Sequence, residues 1–219
     1  LEEIIAHREK LCMYDENLQN EKIIHVTGSN THLRMLVHFY AFIYFEDWQQ
    51  DVWTKRFIRD HLRYIDEIQC AAARVIAAVR AKSIEHNHGN NGTYDAMHIR
   101  RGDFQYKDMK IEPDQYYEIS KDVLEEANNF TTTNTKKSTL FIATDQKDKT
   151  FFKSFYDHYH VYFLSDFQHL LEGVNTNYYG MIDQLIASKG NIFYGTYLST
   201  FTGYINRLRG YHSQKLKSE

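Results

Sequence analysis

An arginine pair and a carboxylate follow an apolar run in the segment HIRRGD at residues 98–103. A guanidinium at the end of a buried strand can donate two parallel hydrogen bonds to a phosphate. Neighbouring residues of a strand point to opposite faces, so only one of the two arginines can enter a given crevice. We expect that arginine to be Arg100, because it shares a face with His98. The alternative is a surface network in which the arginines pair with Asp103 and other acidic side chains.

A second group of polar residues lies near the end of the chain. Asp183 stands sixteen residues before Ser199, near the start of a predicted helix, where the dipole favours a carboxylate. A carboxylate that projects into a nucleotide crevice can accept two N–H hydrogen bonds from a guanine edge. Ser199 and Thr200 precede a predicted helix at 201–209, which Gly210 would end as a C-cap. The start of such a helix can bind phosphate, although simple helix capping also explains these residue types.

Two pairs of histidines suggest a metal site. They are His86 with His88 and His158 with His160, and this spacing places both rings of a pair on one side of an extended segment. No third ligand stands at a usual spacing, and the two cysteines are far from both pairs. The chain also lacks the Asp-x-Asp arrangement with which many sugar transferases hold a divalent ion. We therefore predict no metal and no other cofactor. If the chain is a sugar transferase, arginine, helix N-termini and hydroxyls must neutralise the leaving diphosphate.

The composition indicates an ordered globular protein. The chain of 219 residues is 42% hydrophobic and has one proline against 17 tyrosines and 14 phenylalanines, the opposite of a disordered sequence. Its formal charge of -3 and its pI near 6.5 give no field that would attract nucleic acid or an anionic membrane. We therefore expect no nucleic-acid partner, and any recognition of phosphate must be local.

The hydrophobic pattern changes at a polar, glycine-containing loop at 86–92. Before the loop the spacing is mainly helical, with one strand candidate at 23–26. After it, short apolar runs alternate with helical patterns: strands are predicted at 96–99, 140–143, 160–164 and 192–194, with helices at about 113–129, 149–158 and 179–189. This alternation predicts an α/β fold, a Rossmann-like parallel sheet flanked by helices, with its ligand crevice beyond the carboxyl ends of the strands. The predicted domains are 1–90 and 91–219.

The sequence contains few indications of a cellular compartment. Cys12 and Cys70 are compatible with one bridge or with two free thiols, and sequons at Asn91 and Asn129 permit N-glycosylation. We find no signal peptide and no apolar run that could span a bilayer. The chain begins without methionine and within a helical pattern, so we expect it to be part of a longer protein that could carry a membrane anchor elsewhere.

Four segments together resemble the GDP-fucose protein O-fucosyltransferase family in order and spacing. They are HIRRGD at 98–103, FIATD at 141–145, DQ at 183–184 and GTYLSTF at 195–201. The resemblance covers about residues 94–211. It implies the two-lobed GT-B glycosyltransferase fold, with 91–219 as the donor-binding C-terminal lobe and 1–90 as the helical last part of the acceptor-side lobe. It also implies GDP-fucose as donor substrate, a protein or glycan acceptor, and the lumen of the endoplasmic reticulum or Golgi as the location.

The resemblance also implies roles for individual residues. His98 would approach the guanine, Arg100 the diphosphate, and Asp183 would read the base. The implied donor-binding set is His98, Ile99, Arg100, Asp183, Ser199, Thr200 and Phe201. Arg100 and Asp103 are the predicted catalytic residues, with Asp103 orienting an arginine or approaching the acceptor.

The predicted reaction is an inverting, metal-independent transfer of fucose. The family's glycine-rich loop in the first lobe has no counterpart before residue 94, so a donor-binding pseudo-enzyme that serves as an interaction lobe is an alternative. Related transferases use other donors such as UDP-rhamnose, which is a second alternative. A sugar-nucleotide hydrolase is a third.

Overall fold

The computed structural model describes residues 16–23, 63–86, 91–104, 106–127 and 137–215, together with the single positions 25, 49, 53 and 61. The chain divides into two compact units, residues 1–58 and 59–219. In the first unit the described residues include one helix, α1 (Glu16–Asn20). The strand candidate at 23–26 and most of the helical pattern before residue 63 lie outside the described residues.

Alternating strands and helices make up the second unit. The helices are α2 (Asp66–His86), α3 (Pro113–Ala127), α4 (Lys153–Tyr156), α5 (Tyr179–Ser188) and α6 (Thr200–Lys215). The strands are β1 (Asp95–Ile99), β2 (Ser138–Thr144), β3 (Tyr159–Tyr162) and β4 (Phe193–Gly195). Short 3-10 helices lie at Lys107–Met109, Lys149–Phe152, Leu164–Leu171 and Thr176–Tyr178.

Within the described residues the strands form one parallel sheet in the order β3-β2-β1-β4. The chain moves outward from β1 to β2 and β3, then crosses back to place β4 on the other side of β1. Strand order therefore reverses between β1 and β4, and ligands of open parallel sheets bind beyond the carboxyl ends of the strands at such a reversal. His98 pairs with Gly195 in the register, so the residues that follow both strands share this edge. The sheet confirms the predicted α/β, Rossmann-like fold.

Helices cover both faces of the sheet, because alternate residues of each strand point to opposite sides. On one face, α2 and α5 pack against β2; buried members of this core include Val75, Val79, Phe141, Ile182 and Ile186. On the other face, α3 and the segment 149–156 pack against β1 and β2; this core includes Met97, Ile99, Leu124, Leu140 and Phe155. Burial of one such side chain contributes about 1.5–3 kcal/mol, so the two cores hold the central strands rigidly in place.

Some predicted boundaries are wrong. Helix α6 continues through Gly210 to Lys215, because a single glycine costs a helix only about 1 kcal/mol and does not end it unaided. The helix predicted at 149–158 consists of two short pieces that end at Tyr156. The division at residue 90 stays a prediction; α2 packs on the sheet and belongs to the second compact unit. No helix in the described ranges is long and apolar enough to cross a membrane.

Candidate active site

Thr196 joins the carboxyl ends of β1 and β4. Its backbone N–H donates to the carbonyl of His98 over 2.9 Å, and its hydroxyl donates to the same carbonyl over 3.2 Å. The hydroxyl oxygen accepts the backbone N–H of Arg100 at 3.0 Å. A hydroxyl has one hydrogen, so Tyr116, whose oxygen lies 3.1 Å away, is the donor in their contact. Thr196 is buried, and these bonds fix the point at which the chain leaves β1.

Asp145, directly after β2, holds the backbone of residues 100–103, which we call the RRGD turn. Its Oδ1 accepts the N–H of Arg101 at 2.7 Å, and its Oδ2 accepts the N–H of Gly102 at 2.9 Å. The same Oδ2 accepts a hydrogen bond from the guanidinium of Arg100 at 2.6 Å. A Cβ on Gly102 would lie 2.5 Å from this oxygen, so the glycine allows the carboxylate to come this close.

The two arginines of the turn point in different directions. The Arg100 side chain, 36% exposed, pairs with Asp145 at the reversal of strand order. Arg101 lies on the α3 side, where it donates to the carbonyl of Ile111 at 3.0 Å and stands 4.5 Å from the centre of the Phe151 ring. Arg100 is therefore placed for a ligand, and Arg101 anchors the turn to the protein.

Asp103 contributes its backbone to the position of Arg100. Its carbonyl accepts a second guanidinium N–H at 3.0 Å. The residue is exposed, and its carboxylate makes no hydrogen bond or ion pair with the described residues. The predicted surface network is thus present in part. Arg100 pairs with Asp145 and not with the Asp103 carboxylate, and Arg101 lies 3.5 Å from Glu112.

His98 is the polar residue of β1 that faces α6. The residue is 4% exposed, its Nδ1 lies 2.7 Å from the hydroxyl of Thr202, and its ring stacks on Phe201 with centroids 4.4 Å apart. Burial lowers the pKa of His98 to about 4; the Asp145 charge opposes this shift, and the Arg100 charge adds to it. His98 is therefore uncharged at neutral pH, and a contact between its ring and a ligand stays a prediction.

The start of α6 brings the predicted phosphate-binding residues to this edge. Ser199 is buried, and its carbonyl accepts the N–H of Gly203 at 2.9 Å, so the helical hydrogen bonds begin there. Thr200 is exposed and Phe201 is half-buried. The contact between Phe201 and His98 joins the start of α6 to β1.

Ile99 is placed differently from the rest of the predicted set. Its side chain is completely buried in the core beneath α3, and its carbonyl accepts the hydroxyl of Thr144 at 2.7 Å. Only its backbone lies near the RRGD turn, and a donor contact through Ile99 stays a prediction.

Asp183 lies in α5, whose first turn approaches Phe201: a Cβ on Gly180 would lie 3.7 Å from that ring. Part of Asp183 is accessible to solvent, but its Oδ1 is buried and has no hydrogen-bond partner among the described residues. Burial raises the pKa of Asp183 to about 8, and the positive charge of Lys149 opposes this shift. In its ionised form this carboxyl would be suited to a ligand that brings N–H donors.

Sequence reasoning did not select Asp145, Thr196 or Thr202 as site residues. Each acts across the fold, on a partner 43 to 104 positions away in the chain. One signal was available for Asp145 and Thr196: each is the second residue after a predicted strand, and the carboxyl ends of parallel strands share one edge. Thr202 has no such signal, because it lies within α6.

Of the two histidine pairs, the structure describes His86, His158 and His160. His86 stacks on His160 with centroids 3.7 Å apart, and its Nε2 lies 2.6 Å from the hydroxyl of Tyr162. No group of three or more His, Cys, Asp or Glu that could hold a metal occurs in the part of the chain that the structure describes. His88 lies outside those residues.

A four-stranded parallel sheet with helices on both faces is an α/β, Rossmann-like fold. The family model for GDP-fucose protein O-fucosyltransferase matches residues 5–212. The match spans most of the chain, and the chain belongs to this family, which suggests fucosyl transfer with GDP-fucose as donor. The comparison with curated proteins gives no match.

Proposed function

We propose that this chain transfers fucose from GDP-fucose to a hydroxyl group of a protein or glycan acceptor. The observation that carries the proposal is the guanidinium of Arg100, which Asp145 and the carbonyl of Asp103 hold at the reversal of strand order. Its remaining N–H groups make no hydrogen bond with a described residue, and a planar guanidinium can bind two phosphate oxygens at once. A positive charge fixed before the donor arrives lowers the barrier to departure of the diphosphate.

The donor would extend from Asp183 to Arg100. In this arrangement the carboxylate of Asp183, whose Oδ1 has no hydrogen-bond partner in the described part of the chain, accepts N–H bonds from guanine. Phe201 lies between α5 and β1 beside the nucleoside. Ser199 and the exposed Thr200 line the phosphates at the start of α6, where the dipole favours negative charge. Phe201 supports this order of contacts, because its ring lies near the first turn of α5 and stacks on His98 of β1.

The proposed reaction is an inverting displacement. The acceptor oxygen forms a bond to the anomeric carbon of fucose while the bond from that carbon to the phosphate oxygen breaks, and the electron pair of the broken bond leaves with GDP. The acceptor proton passes to a carboxylate, for which we propose Asp103, exposed next to the turn that holds Arg100. Arg100 and the start of α6 neutralise the departing diphosphate, so the reaction requires no metal.

We further propose that the reaction takes place in the lumen of the secretory pathway, where this family typically acts. Asn91, in a sequon at the amino end of β1, has an exposed side chain, which is compatible with that compartment.

Calorimetry with GDP and UDP, followed by an assay with labelled GDP-fucose and acceptor, tests the proposal. Binding of GDP in preference to UDP, with transfer of label, is the expected result, and Asp103→Asn should bind GDP normally while losing transfer. Binding of GDP without transfer would favour the donor-binding interaction lobe, and transfer from UDP-rhamnose would favour another donor. Release of free fucose without acceptor would indicate a hydrolase.

A further inference from the structure

A tight turn at Thr196–Ser199 carries two exposed apolar side chains at the rim of the proposed donor site. The N–H of Ser199 donates to the carbonyl of Thr196 over 3.4 Å, which closes a four-residue turn. Both ends of the turn are buried. Between them, Tyr197 is 71% exposed and Leu198 is 48% exposed.

The backbone of this turn is strained at Leu198. Its φ of 58° is the one positive φ among the described residues other than glycine. The third position of a turn with a single positive φ normally holds glycine or asparagine, since other side chains clash with the following carbonyl. A leucine at this position is unfavourable for the local backbone, and such strain concentrates at ligand sites.

The turn stands between two parts of the proposed phosphate site. On one side, Thr196 accepts the backbone N–H of Arg100. On the other, Ser199 begins α6. A diphosphate held by Arg100 and the start of α6 would therefore have its sugar end near the side chains of the turn, because the guanine end is assigned to α5.

We propose that Tyr197 is the residue that contacts the sugar of the donor, with its ring against the C–H face of the pyranose. This inference rests on the proposed function and adds the sugar-binding residue to it. A 6-deoxy sugar such as fucose carries a methyl group in place of one hydroxyl, so an aromatic wall suits it better than a polar one. The turn places Tyr197, which is 71% exposed, at the rim of the proposed site.

Separate titrations of GDP and GDP-fucose test the inference, because they share the nucleotide and differ in the sugar. Tyr197→Ala should weaken GDP-fucose binding about three- to tenfold and leave GDP binding within about twofold. Tyr197→Phe keeps the ring and is the matched control, with wild-type affinity for both ligands. Leu198→Asn retains the turn and should also bind GDP normally.

The possible outcomes separate this inference from the proposed function. If the wild type binds both ligands and Tyr197→Ala binds GDP-fucose as tightly as the wild type, the inference is wrong and the function stands. Equal weakening of GDP and GDP-fucose would also contradict a sugar contact. If the wild type binds neither ligand, both proposals fail. If Tyr197→Ala does not fold, Tyr197→Leu serves the same test, with a smaller expected loss for GDP-fucose alone.

Discussion

The RRGD turn and the middle of α5 each contribute one ionisable side chain to the proposed donor site, but the two side chains are in opposite states. The guanidinium of Arg100 already has a carboxylate partner, Asp145, and remains partly exposed. The Oδ1 of Asp183 is buried without a described partner, and burial raises the pKa of this carboxyl to about 8. The guanidinium of Arg100 therefore has its hydrogen-bond partner before a ligand binds, whereas the Oδ1 of Asp183 has none among the described residues.

This difference indicates separate contributions to binding and to catalysis. A group that is held in place without ligand is preorganised, so it stabilises the charge that develops in the transition state without reorganisation. A buried acceptor that lacks a donor gains most from a ligand that supplies one. We therefore expect Arg100 to determine the rate, and Asp183 to determine which nucleotide binds.

Substitution of Arg100 by alanine should produce the largest effect. The transfer rate is expected to fall about 100- to 1000-fold, the usual consequence of losing a donor aimed at developing negative charge. Arg101→Ala is the matched control, because it removes the same charge from the neighbouring position. Its guanidinium contacts Ile111 and Phe151, so this variant should lose about 1 kcal/mol of stability and much less activity.

Initial rates with saturating GDP-fucose, together with thermal unfolding of both variants, measure this difference. Equal losses of rate in the two variants would show that the turn provides only general positive charge. A wild-type rate for Arg100→Ala would remove Arg100 from the mechanism.

The next largest effect is expected from Asp183→Asn. The variant should bind GDP about 10- to 100-fold more weakly, because a hydrogen bond to a charged group is worth about 1.5–3 kcal/mol. Its preference for GDP over UDP should disappear. Asp166→Asn is the control: it also removes a negative charge that acts on Lys149, but from a carboxylate that already accepts the N–H of Phe163 at 2.8 Å.

Calorimetric titration of both nucleotides into the two variants gives the comparison. If Asp183→Asn still discriminates GDP from UDP as the wild type does, another residue reads the base. The RRGD turn would then be the only one of the two regions with a supported role.

The pH dependence of GDP binding should distinguish the same two regions. A carboxylate that accepts two N–H bonds must be ionised, whereas the free Asp183, with its pKa raised to about 8, is mostly protonated at pH 7. GDP affinity should therefore rise about tenfold between about pH 7 and 8.5. His98, with its pKa lowered to about 4, does not titrate in this range.

Asp183→Asn provides the control, since its affinity for GDP should be independent of pH over that interval.

The pH dependence of the free energy of unfolding gives a second measurement, made on the ligand-free protein. Because the folded-state pKa of Asp183 is raised above its ordinary value, stability from this group is present at low pH and is lost as pH rises toward 8. A flat pH profile for both readouts would mean that Asp183 is ionised before GDP binds.

The two regions also differ in how far the sequence alone predicts them. Apolar runs that end in polar residues were sufficient to predict the parallel strands and to select Arg100, because strand alternation and the shared carboxyl edge are local rules. They did not predict that Asp145 holds the turn, since that contact joins residues 43 to 45 positions apart. The burial of the Asp183 Oδ1, which has no hydrogen-bond partner among the described residues, depends on how α5 packs, and sequence spacing does not reveal that packing.

Gly102→Ala should have the smallest effect of the changes considered for these regions. The new Cβ would lie 2.5 Å from Oδ2 of Asp145, so the carboxylate that holds Arg100 must shift. The backbone of Gly102 does not have a positive φ, so alanine adds no backbone strain and the clash acts alone. We expect a loss of about 1 kcal/mol of stability and a transfer rate about three- to tenfold lower.

Gly203→Ala is its control, because a Cβ at that position in α6 meets no atom within 4 Å. This variant should keep the wild-type rate and gain about 0.5–1 kcal/mol in the free energy of unfolding, as expected for glycine replaced by alanine within a helix. Nucleotide binding by Gly102→Ala tests whether the RRGD turn and α5 act independently. This variant should retain the preference for GDP over UDP, since Asp183 is unchanged. Loss of that preference would show that the RRGD turn and α5 are coupled and do not act independently.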